Sequence, residues 1–369
     1  MTARTGPVTV VVPLPPTYRG GTEEYAYQLV RRYAEHRPVL ALATTARYTP
    51  ETGSIDIGKA RLELLAARET MERPLLLGRA PRRRLRDAVG AASVVQLHMP
   101  FPMVEGPVVK WARRAGVPTV LTYHMDADLA GASSTPGAGL VTPAYRRISA
   151  FPALAGCDIV VSNSRGYAEA SPVLSRYLPK VRVIPKGADL DRLGVGRTSS
   201  RSRPPSVPSD VQGPTVAFVG RLVPYKGISV LLEATERLLR EGEKLTVMIA
   251  GRGPLLEELK NDVGRRKLET AVRFLGFVPD EQIGDLYRFA DVVCCPSIGT
   301  LESSATTLEE AAMCGTPVVG SDLPGASESI PHDGTRGLLV PANDAGALGH
   351  ALRRLLGQER PSGSPPVRT

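Results

Sequence analysis

Short apolar runs rich in β-branched residues recur along the chain. Each is followed by a glycine-, proline- or serine-rich turn and then by a stretch with helical spacing. Val8 to Pro13 is the first such run and suits a buried parallel strand. After it, Thr22 stands where it can cap a helix from Glu23 to about His36. Val94 to Leu97, Val117 to Thr122, Asp158 to Val161 and Val181 to Ile184 repeat the strand pattern. A helix closing over Lys110 to Ala115 and another from about Pro143 to Leu154 lie between them. A second series starts at Thr215. Its strands are Val216 to Val219, Leu245 to Ala250, Val272 to Phe277, Val292 to Cys295, Pro317 to Gly320 and Leu338 to Val340. The intervening helices are Ile228 to Arg240, Asp285 to Ala290, one that holds Glu310 and stops at Gly315, and Asp344 to about Leu356. Strands alternating with helices in this way predict parallel α/β sheets.

The pattern breaks in three places. Residues 55–90 show apolar Leu62, Leu64, Leu65 and Leu75 to Leu77, then a dense basic run at Arg79, Arg82, Arg83, Arg84 and Arg86. That run reads first as a solvated helix face. Its sharper reading is a helix lying on an anionic membrane surface, where each arginine contributes ~1 kcal/mol. Residues 129–142 are rich in Gly, Ala, Ser, Thr and Pro and predict a mobile loop. Gly194 to Gly213 mixes Arg197, Arg201, Arg203, Pro204, Pro205 and Pro208 with serines and keeps no period. The expected organisation is therefore a domain over 1–193, a linker and hinge over 194–213, a second domain over 214–357 and a disordered tail over 358–369.

The length of 369 residues suits two domains, and 42% hydrophobic with 22% charged residues is the balance of a globular protein. No apolar run approaches the ~20 residues needed to span a bilayer. The N-terminus has no basic segment leading into a long apolar core, so no secretory signal is expected. Cys157, Cys294, Cys295 and Cys314 lack metal-ligand spacing, and the adjacent Cys294 and Cys295 inside an apolar strand read as reduced core thiols in a cytosol. The net charge of +9 comes largely from arginine. It reflects either GC-rich codons or attraction to phosphates and anionic surfaces. Nucleic acid is a poor partner, since aromatics are only 5% and no nucleic-acid motif accompanies the cations. A nicotinamide dehydrogenase is also a poor fit, because no strand leads into G-x-G-x-x-G at the required place.

Candidate chemistry gathers where strands end. Glu302 follows the strand Val292 to Cys295, and Glu310 lies in the next helix, so both can face a crevice at carboxyl strand ends. Carboxylates there accept sugar and ribose hydroxyls. Arg221 and Lys226 flank a strand-to-helix turn, where two fixed cations would stabilise a departing diphosphate. Gly20 and Gly21 precede a helix N-terminus, which is a ready anion site. His98 and His124 end two successive strands. Asp126-Ala-Asp128 reads as local polarity or a helix cap.

The stretch Glu302-Ser-Ser-Ala-Thr-Thr-Leu-Glu-Glu310-Ala-Ala-Met-Cys-Gly-Thr-Pro317 resembles the E-x-seven-E signature of retaining, nucleotide-sugar-dependent glycosyltransferases of family 4, which have the GT-B fold. Ala305 and Glu309 depart from it, standing where glycine and an apolar residue are usual. Gly220-Arg221-Leu-Val-Pro-Tyr-Lys226-Gly227 is similarly specific. Weaker matches are Gly20-Gly21-Thr22-Glu23, His98 before Pro100, His124 in Thr-x-His, and Pro185-Lys186-Gly187-Ala188-Asp189, where Lys186 replaces asparagine. Gly251-Arg-Gly-Pro254 and Pro324 to Glu328 match as well. The resemblance covers about Pro7 to Leu356. It implies two Rossmann-like, doubly wound α/β domains, the N-terminal one for the acceptor and the C-terminal one for the sugar nucleotide. It also implies a further C-terminal helix, for which too little chain follows Leu356.

By the same resemblance, His124, Arg221, Lys226 and Glu302 are expected to be catalytic. Gly20, Gly21, Gly251, Phe277, Ser303, Ser304, Ala305, Thr306 and Glu310 would bind the donor. Glu23, His98 and Asp126 would lie on the acceptor side. No metal and no cofactor are expected, since Asp126 and Asp128 lack the setting of the metal-binding motif in GT-A enzymes. The implied activity moves a hexose from a UDP- or GDP-sugar to a hydroxyl of a glycan, a lipid-linked glycan or a small molecule. The expected location is the cytoplasm, with weak peripheral contact to the inner face of the membrane. A GT-B sugar-nucleotide epimerase and an inert sugar-nucleotide- or glycan-binding protein are the alternatives. Donor, base, acceptor and oligomeric state stay open.

Overall fold

A computed structural model of the chain describes residues 5–16, 21–45, 53–57, 59–70, 73–75, 78–126, 138–196, 201–299, 302–330 and 336–357. The chain divides into two units, residues 1–185 and 186–369.

The first unit runs β1 (Val8–Val11), α1 (Gly21–His36), β2 (Val39–Thr44), β3 (Gly53–Ile57), β4 (Ala60–Leu65), β5 (Arg68–Thr70), β6 (Arg73–Leu75), α2 (Arg79–Ala91), β7 (Val94–Met99), α3 (Glu105–Ala115), β8 (Thr119–Tyr123), α4 (Ala138–Tyr145), α5 (Phe151–Gly156), β9 (Ile159–Ser162), α6 (Arg165–Ala170) and β10 (Val181–Val183). Its main sheet has the order β10-β9-β8-β7-β1-β2-β4-β3. Neighbouring strands are parallel except the β3–β4 edge hairpin. Period-two alternation sends successive β1 residues to opposite faces. Val8, Val10 and Val12 pack with Ala26, Tyr27 and Val30 of α1. Val11 instead joins Leu97, Leu121 and Val160 under α2, α3 and α5. Both faces are covered, which is why these strands read as unbroken apolar runs. Truncating a fully buried core leucine such as Leu121 to alanine costs ~2–5 kcal/mol.

The helix expected over Pro143 to Leu154 is interrupted. Pro152 has no N–H to donate to the carbonyl four residues back. The Phe151 N–H instead bonds Arg146 O, five residues back, and Arg146–Ala150 widen into a π turn between α4 and α5. The turn leaves Ile148 60% exposed. Of the loop expected over 129–142, residues 129–137 lie outside the described residues and Ala138 onward is helical.

The second unit runs β11 (Thr215–Val219), α7 (Ile228–Arg240), β12 (Thr246–Ala250), α8 (Leu256–Arg265), β13 (Val272–Gly276), α9 (Asp280–Phe289), β14 (Val292–Cys295), α10 (Thr306–Met313), β15 (Val318–Ser321), β16 (Gly337–Val340) and α11 (Ala345–Leu356). Its six strands are all parallel, in the order β13-β12-β11-β14-β15-β16. This is a doubly wound arrangement whose order reverses between β11 and β14, the point at which such sheets bind ligands. Helix α9 starts five residues earlier than its sequence pattern suggested. Asp280 and Glu281 occupy its first turn, where the helix dipole favours acidic groups.

The stretch read as a linker behaves differently in its described part. Val207 and Val211 are buried in the same core as Leu286 and Tyr287. The Arg201 guanidinium donates to Phe289 O and to the Asp291 carboxylate. Arg203 donates to Val211 O at 2.8 Å. Residues 201–213 therefore pack as part of the second unit. Two isolated valines among prolines, arginines and serines carry no period, so the sequence does not announce that burial. The tail expected to be disordered, 358–369, lies outside the described residues.

Candidate active site

The turns leaving β11, β12 and β14 interlock through backbone. Gly251 has φ +141°, and a Cβ there would come within 1.8 Å of Gly220 O. Gly227 has φ +64°, and a Cβ there would come within 1.9 Å of Pro296 O. Only glycine permits both the conformation and the approach. Hydrogen bonds tie the same turns: Gly220 N–H to Ala250 O at 3.0 Å, Leu222 N–H to Arg252 O at 3.0 Å and Ile298 N–H to Tyr225 O at 2.8 Å.

On this frame Lys226 meets Glu302. The Lys226 Nζ donates to Glu302 Oε2 at 2.6 Å, and Ser297 Oγ donates to the same oxygen at 2.7 Å. The Glu302 residue is 6% exposed. Burial works against the charged ammonium, yet the Glu302 carboxylate carries the Lys226 pKa above the ordinary lysine value. An ammonium has three donors, and Glu302 takes one of them. Arg221 is exposed at the mouth of the same turn and has no hydrogen-bond or ion-pair partner among the described residues. The strand-to-helix turn thus presents one carboxylate-bound cation and one solvent-facing cation.

Glu310 belongs to a separate pair. Its Oε1 accepts from Arg192 Nη2 and its Oε2 accepts from Tyr287 Oη at 2.8 Å. Burial raises the Glu310 pKa, and the Arg192 guanidinium opposes that rise. The two carboxylates of the E-x-seven-E motif therefore pair with different cations. Between them, Ser303, Ser304 and Ala305 are buried and lead into the N-terminus of α10. Ala305 N–H donates to Ser329 Oγ, and Thr307 Oγ1 donates to Val219 O, which fixes the helix start against β11. Thr306 Oγ1 lies 3.4 Å from Ser304 Oγ. Phe277, just after β13, is 41% exposed and stacks under the Arg252 guanidinium at 5.5 Å.

In the first unit, His98 and His124 meet directly. His98 Nδ1 and His124 Nε2 are 2.9 Å apart, the rings stack with centroids 5.2 Å apart, and Tyr25 sits edge-on to both. Both histidines are buried, and His98 Nε2 has no hydrogen-bond partner. Burial lowers the His98 pKa to about 3, so the ring is neutral. Asp126 Oδ1 accepts from Tyr123 Oη at 2.6 Å and Ser171 Oγ at 2.6 Å. Its backbone N–H donates to Tyr167 Oη. Asn163, one residue beyond β9, is buried with both side-chain polar atoms unpartnered. Glu23 is buried in the first turn of α1, while Gly21 is exposed at its start. Gly20 and Asp128 lie outside the described residues.

Several of these residues were not singled out from sequence. Ser297, Tyr287 and Arg192 complete the two ion pairs, and Asn163 extends the polar set at strand ends. Glu105 is fully buried in the first unit. It accepts from Phe101 N–H at 2.6 Å and from the Tyr145 and Ser149 hydroxyls, and so ties the turn after β7 to the π turn. An isolated glutamate in an amphipathic helix gives no signal of such burial.

A family model described as glycosyl transferases group 1 matches residues 200–363, and one described as glycosyltransferase family 4 matches residues 19–192. The chain is 30% identical over 352 residues to O-antigen chain mannosyltransferase C of Escherichia coli, covering 94% of this chain and 87% of that protein. It is 34% identical over 255 residues to D-inositol 3-phosphate glycosyltransferase of Nocardia farcinica, covering 65% and 54% respectively. Among solved structures, Anabaena HepE in complex with UDP and glucose matches with a TM-score of 0.70 at 18% identity, over 95% of this chain and 90% of that one. That likeness is one of fold.

Proposed function

The chain belongs to glycosyltransferase family 4, with the GT-B fold and the activity of a hexosyltransferase-type enzyme, and from that premise we propose how its site works and on what. The proposed reaction moves a hexose from a UDP- or GDP-sugar to an acceptor hydroxyl with retention of configuration. The observation that carries this reading is the Lys226–Glu302 pair beside exposed Arg221 at the reversal between β11 and β14. As the bond from sugar to diphosphate breaks, charge develops on the leaving phosphate oxygens. Lys226 and Arg221 are placed to offset it. Glu302 holds Lys226 charged and in position and contacts the donor sugar. Glu310 accepts from the ribose hydroxyls, Phe277 and Gly251 border the base and phosphates, and the Ser303, Ser304 and Thr306 amides complete the anion site. His124, with His98, lies on the acceptor side with Asp126 and Glu23.

No divalent metal is required in this scheme, because the two cations supply the charge. The names of the relatives support a glycan or a small polyol phosphate as acceptor, and UDP in HepE supports a uridine donor. Weak peripheral contact with an anionic membrane belongs to the proposal for a lipid-linked glycan. Its basis is narrower than the basic run suggests. Arg84 is bound bidentately to Glu63 at 2.8 Å, and Arg83 and Arg86 both lie 3.7 Å from Asp87. Leu85 points into the core, and Leu76 and Leu77 lie outside the described residues. No helix among the described residues is long and apolar enough to cross a membrane.

The test is a panel of UDP-, GDP- and dTDP-sugars with and without EDTA. One sugar nucleotide is expected to raise the unfolding temperature and to be consumed, with the chelator making no difference. The reading is overturned if none is bound or consumed. Activity that EDTA abolishes and magnesium restores would overturn the metal-independent part.

A further inference from the structure

Glu310 is buried between two donors that come from different parts of the second unit. Tyr287 arrives on α9. Arg192 arrives on the turn that follows Asp189, outside any motif identified for the site. That turn is firmly held. The Arg192 N–H donates to Asp189 Oδ1 at 3.0 Å, Leu193 is fully buried, and Leu193 O accepts from Arg288 Nη1 at 2.8 Å. Gly284 of α9 lies under the same carbonyl so closely that a Cβ would come within 2.1 Å of it. The Arg192 guanidinium therefore has little freedom to leave the carboxylate.

A carboxylate offers about four acceptor positions. Arg192 occupies one on Oε1 and Tyr287 one on Oε2, so each oxygen keeps a further position. Two acceptor positions on adjacent oxygens match a vicinal diol. We propose that Arg192 is a positioning residue for the nucleotide: with Tyr287 it holds the Glu310 carboxylate so that its remaining acceptor positions meet the 2′- and 3′-hydroxyls of the ribose of a nucleoside diphosphate. This rests on the assignment of Glu310 to the ribose. The electrostatics agree. Burial, Glu309 and Asp280 all favour the protonated Glu310 carboxyl, while Arg192 and the Tyr287 hydroxyl oppose protonation. The Cys314 thiol, also near Glu310, is itself pushed up to about 11 by burial and stays neutral. Without Arg192 the group would more readily become an O–H donor and lose an acceptor position.

The experiment is calorimetric titration of the full chain with UDP and GDP and their 2′-deoxy counterparts, across pH. Wild type should prefer the ribose form of whichever nucleotide it binds. Arg192→Gln should lower that preference ~10-fold, the scale of ~1.4 kcal/mol, and should move the acid loss of affinity to higher pH. Arg192→Lys should restore part of both. Tyr287→Phe, which removes one hydroxyl from the core, should lower the preference and move the pH profile in the same direction as Arg192→Gln by a smaller amount, and serves if Arg192→Gln unfolds. Wild-type preference and pH profile in these variants, together with lost preference in Glu310→Gln, would overturn the role of Arg192 and leave the ribose assignment standing. Full preference retained in Glu310→Gln would overturn the ribose assignment and this inference with it.

Discussion

The strand ends of the two units are equipped with opposite electrostatics. In the first unit, the groups beyond β7, β8 and β9 are buried and polar: a histidine stack in which His98 is neutral, Tyr123 and Ser171 on Asp126, and unpartnered Asn163. In the second unit, the groups beyond β11 and β14 are ion pairs and an exposed cation. The difference fits the ligand chemistry proposed for each set. Hydroxyls are recognised by neutral donors and acceptors at modest cost. A diphosphate requires fixed positive charge, and buried charge requires a counter-carboxylate to stay ionised.

The largest expected break in this contrast is at Lys226. Lys226→Ala should lower turnover ~100-fold or more. It should also destabilise the second unit, since a buried Glu302 left without its cation costs several kcal/mol. Steady-state kinetics and urea unfolding on the same preparation check both. Wild-type turnover would remove the leaving-group role.

The next effect belongs to the first unit and is a pH effect on stability. His98 titrates near 6.5 when exposed and at about 3 when buried, so its folded pKa is depressed. The folded chain binds fewer protons than the unfolded chain between those values. Its contribution is therefore complete above pH ~6.5 and is lost as pH falls, by ~1.4 kcal/mol per unit. Urea titrations from pH 7 to pH 4 should show this slope, and His98→Gln should flatten it. An unchanged slope in that variant would mean that other groups carry the acid sensitivity.

The smallest effect sharpens the contrast at the surface. Arg79 and Arg82 are exposed and have no ion-pair partner among the described residues, unlike Arg84. At ~1 kcal/mol each, they are expected to give only weak, salt-sensitive binding to anionic vesicles. Arg82→Ser should reduce binding at low salt severalfold, read by sedimentation. Equal binding by wild type and variant would count against α2 as the contact.

Much of the fold was legible because parallel strands covered on both faces leave continuous apolar runs. The Lys226 and Glu310 positions were legible from their motifs. The pairings were not, even where both members, as with Lys226 and Glu302, stood in a motif. Lys226 to Glu302 spans 76 residues and Arg192 to Glu310 spans 118. No local period encodes such a contact. The segment over Val39–Thr44 and Ala60–Leu65 escaped notice as a strand pair, because alternating Arg61 and Glu63 break the apolar run on an edge-proximal strand. The π turn depends on what Pro152 fails to donate, which composition does not reveal.

The glycine contacts between the β11, β12 and β14 turns also bear on how this enzyme can be re-engineered. Where side chains hold a loop, one loop can be exchanged and its neighbours repacked. Here Gly251 rests on the Gly220 carbonyl and Gly227 on the Pro296 carbonyl, main chain against main chain. A foreign turn of slightly different path would collide with a carbonyl that has no rotamer to change. The unit of exchange in a chimera is thus the three turns together, and a library confined to one of them would sample mostly misfolded turns.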